Sequence, residues 1–383
     1  MAMVRSPQRA LEIVELIERC LDFVDPGSGD LTSCALVARP WLYPSQSRLF
    51  RAPSLTNILI SVNDRTALEF HDSLFHSPHL LPLVRELSFI FMLHLSSDIF
   101  TKICRLDFPN LESFSVEPTH ERLWEGLRQL SSTKTIHFFC LDYMQEPHSS
   151  FMFPASMAGL SNCSRAIEHL DLFVTRWSLE GYNPNPTAPI YLTSIRLGLQ
   201  WNSFTPTPFT LSAFYPFNLS KLRAISVMGQ GSFPWNSLPK GRLELLSFTP
   251  GKHQEEITDL SLLPKLSMLR ASTDPSIDLL PICQLLATMK PGHQIHTIIL
   301  FLGRLEGFEM QSPGWDKLDL ALTSLASPAP AIELEFHKAI PPMETLSGLL
   351  PKVLSQTTPK VRIFRSSYQI EQRWWKEQVQ KLL

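Results

Sequence analysis

LRAISV (222–227), LELLSF (243–248) and LSMLRA (266–271) repeat one phrase: an apolar residue, two of any kind, an apolar, one of any kind, an apolar. The last two apolar positions alternate with a residue of different character, as strand residues do when one face is buried. Further clear copies run along the chain, at Val84-Leu87-Phe89, Leu111-Phe114-Val116, Ile167-Leu170-Leu172, Leu192-Ile195-Leu197 and Ile295-Ile298-Leu300. The weakest are Thr133-Ile136-Phe138, Ala331-Leu334-Phe336 and Thr358-Val361-Ile363. In a chain that is 44% hydrophobic, such a triplet arises by chance in roughly one window in twelve. Order therefore counts for more than frequency. Phe108-Pro109-Asn110, Leu219-Ser220-Lys221 and Leu263-Pro264-Lys265 form similar lead-ins to three of the phrases. Segments with apolar residues at helical spacing fall between phrases, at 98–106, 121–130, 277–289, 315–325 and 343–354. Strands separated by such return segments pair in parallel, so the expected fold class is α/β with a parallel sheet.

The phrase resembles a worn leucine-rich repeat, and its steps of roughly 21 to 36 residues lie near the upper part of that range. The resemblance implies an irregular solenoid over 56–368 with the sheet on its concave side. The asparagine that follows the strand in regular repeats is missing, which points to irregular turns and long loops. Proline-rich stretches at 183–189, 205–209 and 327–330 cannot join a central sheet and read as loops. On each strand the residue between the two inward positions would line the concave strip and meet a target protein: His137, Asp171, Arg196, Ser226, Ser247 and Arg270, with Ser88, Ser115 and Glu335 in the same role. Residues 369–383 read as a helix with Ile370, Trp374 and Val379 on one face and Trp375 off it, capping the last repeat against an open sheet edge.

The N-terminal stretch LEIVELIERCLDFVDPGSGDLTSCALVARPWLYPSQSRLF (11–50) has a different texture. Ile13, Val14, Ile17, Leu21 and Val24 form a helical stripe opposite Glu12, Glu15, Glu18 and Arg19, and Asp25-Pro26-Gly27-Ser28-Gly29 ends that helix. Asp30 or Thr32 is expected to cap a second helix carrying Leu31, Ala35, Leu36 and Val37 inward, and Pro40-Trp41-Leu42 to break it before a third segment ending at Leu49-Phe50. Three short helices in about forty residues cannot bury so much apolar surface among themselves, so part of it is left for a partner.

The arrangement resembles the F-box. Glu15 to Val24 match its first helix, and Asp30-Leu31, Cys34, Ala35, Leu36, Val37, Arg39, Trp41 and Leu49-Phe50 match the more specific second part. CALVARPWL followed by RLF is similar to the F-box-like segment of the large, divergent families of mushroom-forming fungi. The family's opening Leu-Pro is replaced here by Arg9-Ala10-Leu11, with the nearest proline at Pro7. The resemblance implies a short three-helix module over 1–55 that docks on the Skp adaptor of a cullin-type ubiquitin ligase through Ile13, Val14, Ile17, Leu21, Leu31, Leu36, Val37 and Trp41. It also implies that the remainder carries an unnamed protein target, in the cytoplasm, the nucleus or both. The competing reading is an interaction scaffold whose N-terminal helices only cap the body and bind no adaptor.

Composition narrows the chemistry further. A formal charge of −2 with 18% charged residues supplies no field for nucleic acid or an anionic membrane, and no apolar run reaches spanning length. The six cysteines show no paired spacing and read as buried thiols of a reducing compartment. His293 and His296 with Cys283 lack the second ligand pair of a zinc site. Cys163, His169 and Asp171 are the residue types of a thiol nucleophile, base and orienting acid, yet His169 and Asp171 fall two apart on one strand face and read as solvent-facing ladder positions. With 15 glycines, no phosphate-cradling loop and no nucleophile elbow, neither catalysis nor a cofactor or metal is expected.

Overall fold

The computed structural model describes residues 14–24, 29–51, 54–56, 65–90, 97–116, 138–143, 151–152, 167–174, 177–178, 190–199, 217–229, 235, 238–249, 259–272, 279–302, 314–325, 330–337, 340–356, 359–364 and 368–382. The chain is mixed α/β and divides into two compact units: residues 1–142 with 158–167, and residues 143–157 with 168–383. The expected module boundary at residue 55 falls inside the first.

The first unit begins with α1 (Val14–Leu21), α2 (Asp30–Val37) and α3 (Arg39–Arg51). Ile17, Leu21 and Leu31 close a small core, against which Val24, Cys34, Trp41 and Leu49 pack. Arg48 ties α3 to the end of α1, donating to the Glu18 carbonyl at 2.8 Å and the Asp22 carboxylate at 2.5 Å. The start of α2 differs from expectation: neither Asp30 nor Thr32 caps it. Gly29 does, at φ 76°, its carbonyl accepting from the Thr32 and Ser33 amides. A left-handed backbone at that position suits glycine alone without strain. Pro40 does not break a helix either. The chain is extended at Ala38, and Pro40 sits in the first turn of α3, where its missing N–H has no helical partner to lose.

Beyond α3 come β1 (Ser54–Thr56), α4 (Arg65–His76), β2 (Glu86–Ile90), α5 (Ser97–Cys104), β3 (Ser113–Val116) and β4 (Phe138–Tyr143). The strands pair in parallel in chain order, with Ser54, Ser88, Ser115 and Cys140 side by side in one row. Phe100 of α5 packs edge-on against Phe89 of β2 at 5.0 Å, and Phe89 meets Phe114 of β3 at 5.8 Å, so this helix covers the apolar strand positions.

The second unit contains β5 (Phe151–Met152), β6 (His169–Val174), β7 (Trp177–Ser178), β8 (Ile190–Tyr191), β9 (Ser194–Leu199), β10 (Phe217–Asn218), β11 (Ala224–Gly229), β12 (Leu245–Phe248) and β13 (Met268–Ser272). Then follow α6 (Leu280–Leu286), β14 (Thr297–Phe301), α7 (Trp315–Thr323), β15 (Ala331–His337), α8 (Met343–Leu349), α9 (Pro351–Gln356), β16 (Lys360–Phe364) and α10 (Tyr368–Leu382). Its main sheet runs β6-β9-β11-β12-β13-β14-β15-β16, every pair parallel. Leu170, Ile195, Ile225, Leu246, Leu269 and Ile298 form one buried apolar row across it. Single 3-10 turns, Leu219–Lys221 and Leu260–Leu262, lead into β11 and β13, with Asn218 and Asp259 side chains accepting the Ser220 and Ser261 amides at 2.8 Å.

Three expectations shift in register or length. Ile332, not Leu334, lies opposite Ile298, so the phrase on β15 begins two residues earlier than Ala331-Leu334-Phe336 suggests, and Val361 of β16 follows Leu334. A slip of two keeps every side chain on its face, so alternation alone cannot detect it. The single helix expected over 343–354 is two, because Pro351 cannot donate to a continuing helix. Among the described residues of the segment 277–289, the helix is Leu280–Leu286.

Asp319 of α7 holds the second of those helices. Buried, it accepts from the backbone N–H groups of Lys352 at 3.1 Å and Val353 at 2.8 Å at the start of α9. Asp319→Ala strands two donors and is expected to cost about 2–3 kcal/mol in urea unfolding, while Asp319→Asn, which keeps one acceptor oxygen, should cost less.

Candidate interaction sites

The N-terminal helices sort the expected adaptor residues into two groups. Ile17, Leu21 and Leu31 are enclosed in the helices' own core, and Trp41 is half-buried against it. Val14, Leu36 and Val37 face outward, Leu36 with 82% and Val37 with 63% of their surface exposed. Ile13 lies outside the described residues. The inward placement expected for Leu36 and Val37 is therefore incorrect: α2 spends Leu31 on the core and turns its C-terminal half to the surface. Leu16, Phe23, Leu42 and Tyr43 are exposed as well, Phe23 at 91%. None of these four figures in the sequence-derived set, since the α1 stripe through Ile17 and Leu21 excludes Leu16 and Phe23. Seven large apolar side chains exposed within 14–43 make an unusual surface for so small a helical group.

The second candidate is a lateral row on the sheet of the second unit. Asp171, Arg196, Ser226, Ser247 and Arg270 stand side by side on β6, β9, β11, β12 and β13, and the row continues through Ile299, Glu333 and Lys360. Expected as a solvated strip, the first five are buried, Arg196 to 1% and Arg270 to 3% exposure. Glu335 sits one pair along the sheet, at 0%. His169, expected with Asp171 to face solvent, is also buried, its Nδ1 at 2.9 Å from the Ser194 hydroxyl. Alternation names the face a residue points to, not what lies over it. His137 precedes β4 and lies outside the described residues; β4 brings Cys140 opposite Ser115 instead.

Charges can stay buried in this row because each meets an opposite charge within the same sheet, on the next strand or, for Arg270 and Glu335, two strands away. Arg196 Nε donates to Asp171 at 2.8 Å. Arg270 Nε donates to Glu335 Oε2 at 3.1 Å, and Arg362 Nε to Glu335 Oε1 at 2.8 Å. Glu333 lies 3.1 Å from Arg362 and 3.5 Å from Lys360. At the lead-in to the strands, Arg223 grips Glu244 with two 2.8 Å bonds, and that hydrogen bonding holds the guanidinium above its ordinary pKa.

Helix α10 lies over part of this face. The Trp374 ring stacks on the Arg270 guanidinium at 4.8 Å, with Phe301 on the same group at 5.4 Å, and the Leu382 carbonyl accepts from Arg223 at 2.6 Å. It therefore reaches from Arg270 of β13 to Arg223 ahead of β11, well beyond the last strand that the sequence suggested it would cap. Trp375, expected off the buried stripe, is buried with Trp374, Gln378 and Val379. The buried side of α10, with Gln378 alongside the indoles, is wider than a strict apolar stripe.

Among the described residues no group of three or more His, Cys, Asp or Glu side chains could hold a metal ion, and no helix is long and apolar enough to cross a membrane. Cys163 lies outside the described residues. His293 is half-buried and His296 exposed, with Cys283 buried on α6. Cys20, expected among buried thiols, lies at the surface. No protein-family profile matches the chain, and no curated protein sequence matches it.

Proposed function

We propose that the chain is a substrate-recognition subunit of a cullin-type ubiquitin ligase: an F-box-like module of α1–α3 docks on the Skp adaptor, and a degenerate leucine-rich-repeat body carries a target protein. The observation that carries this reading is the exposure of Val14, Leu36, Val37, Leu42 and Tyr43 on three short helices whose own core is already closed by Ile17, Leu21 and Leu31. Apolar surface of that kind is a contact surface before it is anything else. The resemblance of CALVARPWL and RLF to the F-box segment names its partner. The regular parallel pairing of β11, β12 and β13 under the repeated phrase supports the repeat body. The chain then works by proximity, raising a target's effective concentration near a ubiquitin-carrying enzyme, and the chemistry belongs to other subunits.

A second reading has an observation of its own. The Arg85 amide donates to the Arg51 carbonyl at 2.9 Å, and α3 runs directly into the sheet of its unit, as it would if the helices served only to cap the strands of a scaffold. Gel filtration of the purified chain with a purified Skp-class adaptor separates the two. Co-elution at a one-to-one ratio is expected; two independent peaks at concentrations of tens of micromolar would favour the scaffold.

A further inference from the structure

The face around Arg270 mixes charged and hydroxyl side chains, Arg270, Ser247 and Ser226, with the buried apolar Leu245 and Ile299, and is not an unbroken apolar row. A helix seated on such a face gains less than one seated on leucines, because polar groups must be dehydrated beneath it. The charges beside Trp374 are already matched within the sheet, Glu335 with both Arg270 and Arg362. Lifting α10 would expose ion pairs that keep their partners and take up water. The fit of the helix is also imperfect: the Trp374 indole N–H is buried without an acceptor. Its outer positions Glu377, Gln380 and Lys381 are exposed, as in a helix that tolerates water on one side.

We infer that α10 is a displaceable internal ligand, covering a face on which an amphipathic helix of a partner protein binds with an aromatic ring against Arg270. The inference rests on the reading of this body as target-binding. The chemistry of the partner is what α10 itself presents. Two aromatic residues, Trp374 and Trp375, are followed one turn later by Gln378 and Val379, and at the helix end the Leu382 carbonyl accepts from Arg223. A cation favours the negative end of a helix, and a guanidinium stacked between two rings selects an aromatic over an aliphatic side chain. Because α10 is tethered, it competes at an effective concentration on the order of millimolar. A partner must therefore bind the open face tightly to displace it.

Hydrogen exchange on the full chain, with a labelled peptide of the sequence YQIEQRWWKEQVQKL as probe, tests this. The α10 amides are expected to exchange at least about 100-fold faster than those of β12 and β13, through opening that leaves the sheet intact. The peptide should bind the Trp374→Ala chain at least about 10-fold more tightly than the unaltered one, since weakening the internal occupant raises the fraction of molecules with an open face. Exchange of α10 in step with β12 and β13 overturns the inference, because the helix then leaves only when the unit unfolds. Equal peptide affinity for the two chains overturns it too. Should Trp374→Ala fail to fold, exchange in the unaltered chain still decides. Adaptor co-elution reads α1–α3 alone, so its failure would be distinguishable from a failure here.

Discussion

Leu36→Asp is expected to weaken adaptor binding at least about 100-fold while changing the stability of the chain by no more than about 0.5 kcal/mol. Leu36 has almost nothing of its own chain to lose, being exposed at the end of α2 beside Val37, which also faces outward. A carboxylate there meets water in the isolated protein and an apolar surface in the complex, so its desolvation penalty falls on binding alone. Leu31→Asp provides the contrast one turn earlier. That side chain is fully enclosed with Ile17 and Leu21, and a charge placed among them should unfold the helices. Adaptor binding would be lost in both variants, but helicity and unfolding midpoint only in the second. Titration calorimetry with circular dichroism on both reads the difference, and an unchanged affinity for Leu36→Asp would remove α2 from the contact.

Glu335→Leu should be the most damaging single change in the second unit, at about 3–5 kcal/mol in urea unfolding. Glu335 is fully buried and serves two arginines on two strands, Arg270 on β13 and Arg362 on β16. Removing it leaves Arg270 buried between Phe301 and Trp374 without its carboxylate. Replacing both members, Arg270→Met with Glu335→Leu, removes the charges together and should recover much of the loss, because a buried pair is worth far less than the cost of breaking it. The coupling should change little between 0.05 and 0.5 M salt, since a pair so enclosed is poorly screened. A double variant as unstable as the sum of the two single ones would contradict this reading of the row.

How much of this was legible in the sequence follows from what periodicity can encode. Strands β9, β11, β12, β13 and β14 fall where the apolar phrases put them, and the helical return expected before the last of them appears as α6. Cross-strand register was less visible: on β15 a two-residue slip preserves every face, and Ala331, Leu334 and Phe336 fit the phrase as well as Ile332 and Leu334 do. Helix α4, which buries Ala67 and Leu74 and leaves Leu68 and Phe75 at its surface, has no counterpart among the helical segments expected from the sequence. In the candidate sites, the sequence found the polar row Asp171, Arg196, Ser226, Ser247 and Arg270 but not the cover over Arg270, since Trp374 of α10 arrives there from a hundred residues further on. For α2 it found the apolar residues and misjudged their direction, because eight residues with apolar side chains on several sides offer no unique inward face.

Photo-crosslinking from position 36 reports the contact itself. A photoreactive residue placed there is expected to join the chain covalently to a Skp-class adaptor on illumination, while the same residue at the exposed position 262 of the second unit should not. A crosslink from 262 with none from 36, or none from either in a folded chain mixed with saturating adaptor, would contradict the docking role assigned to the N-terminal helices.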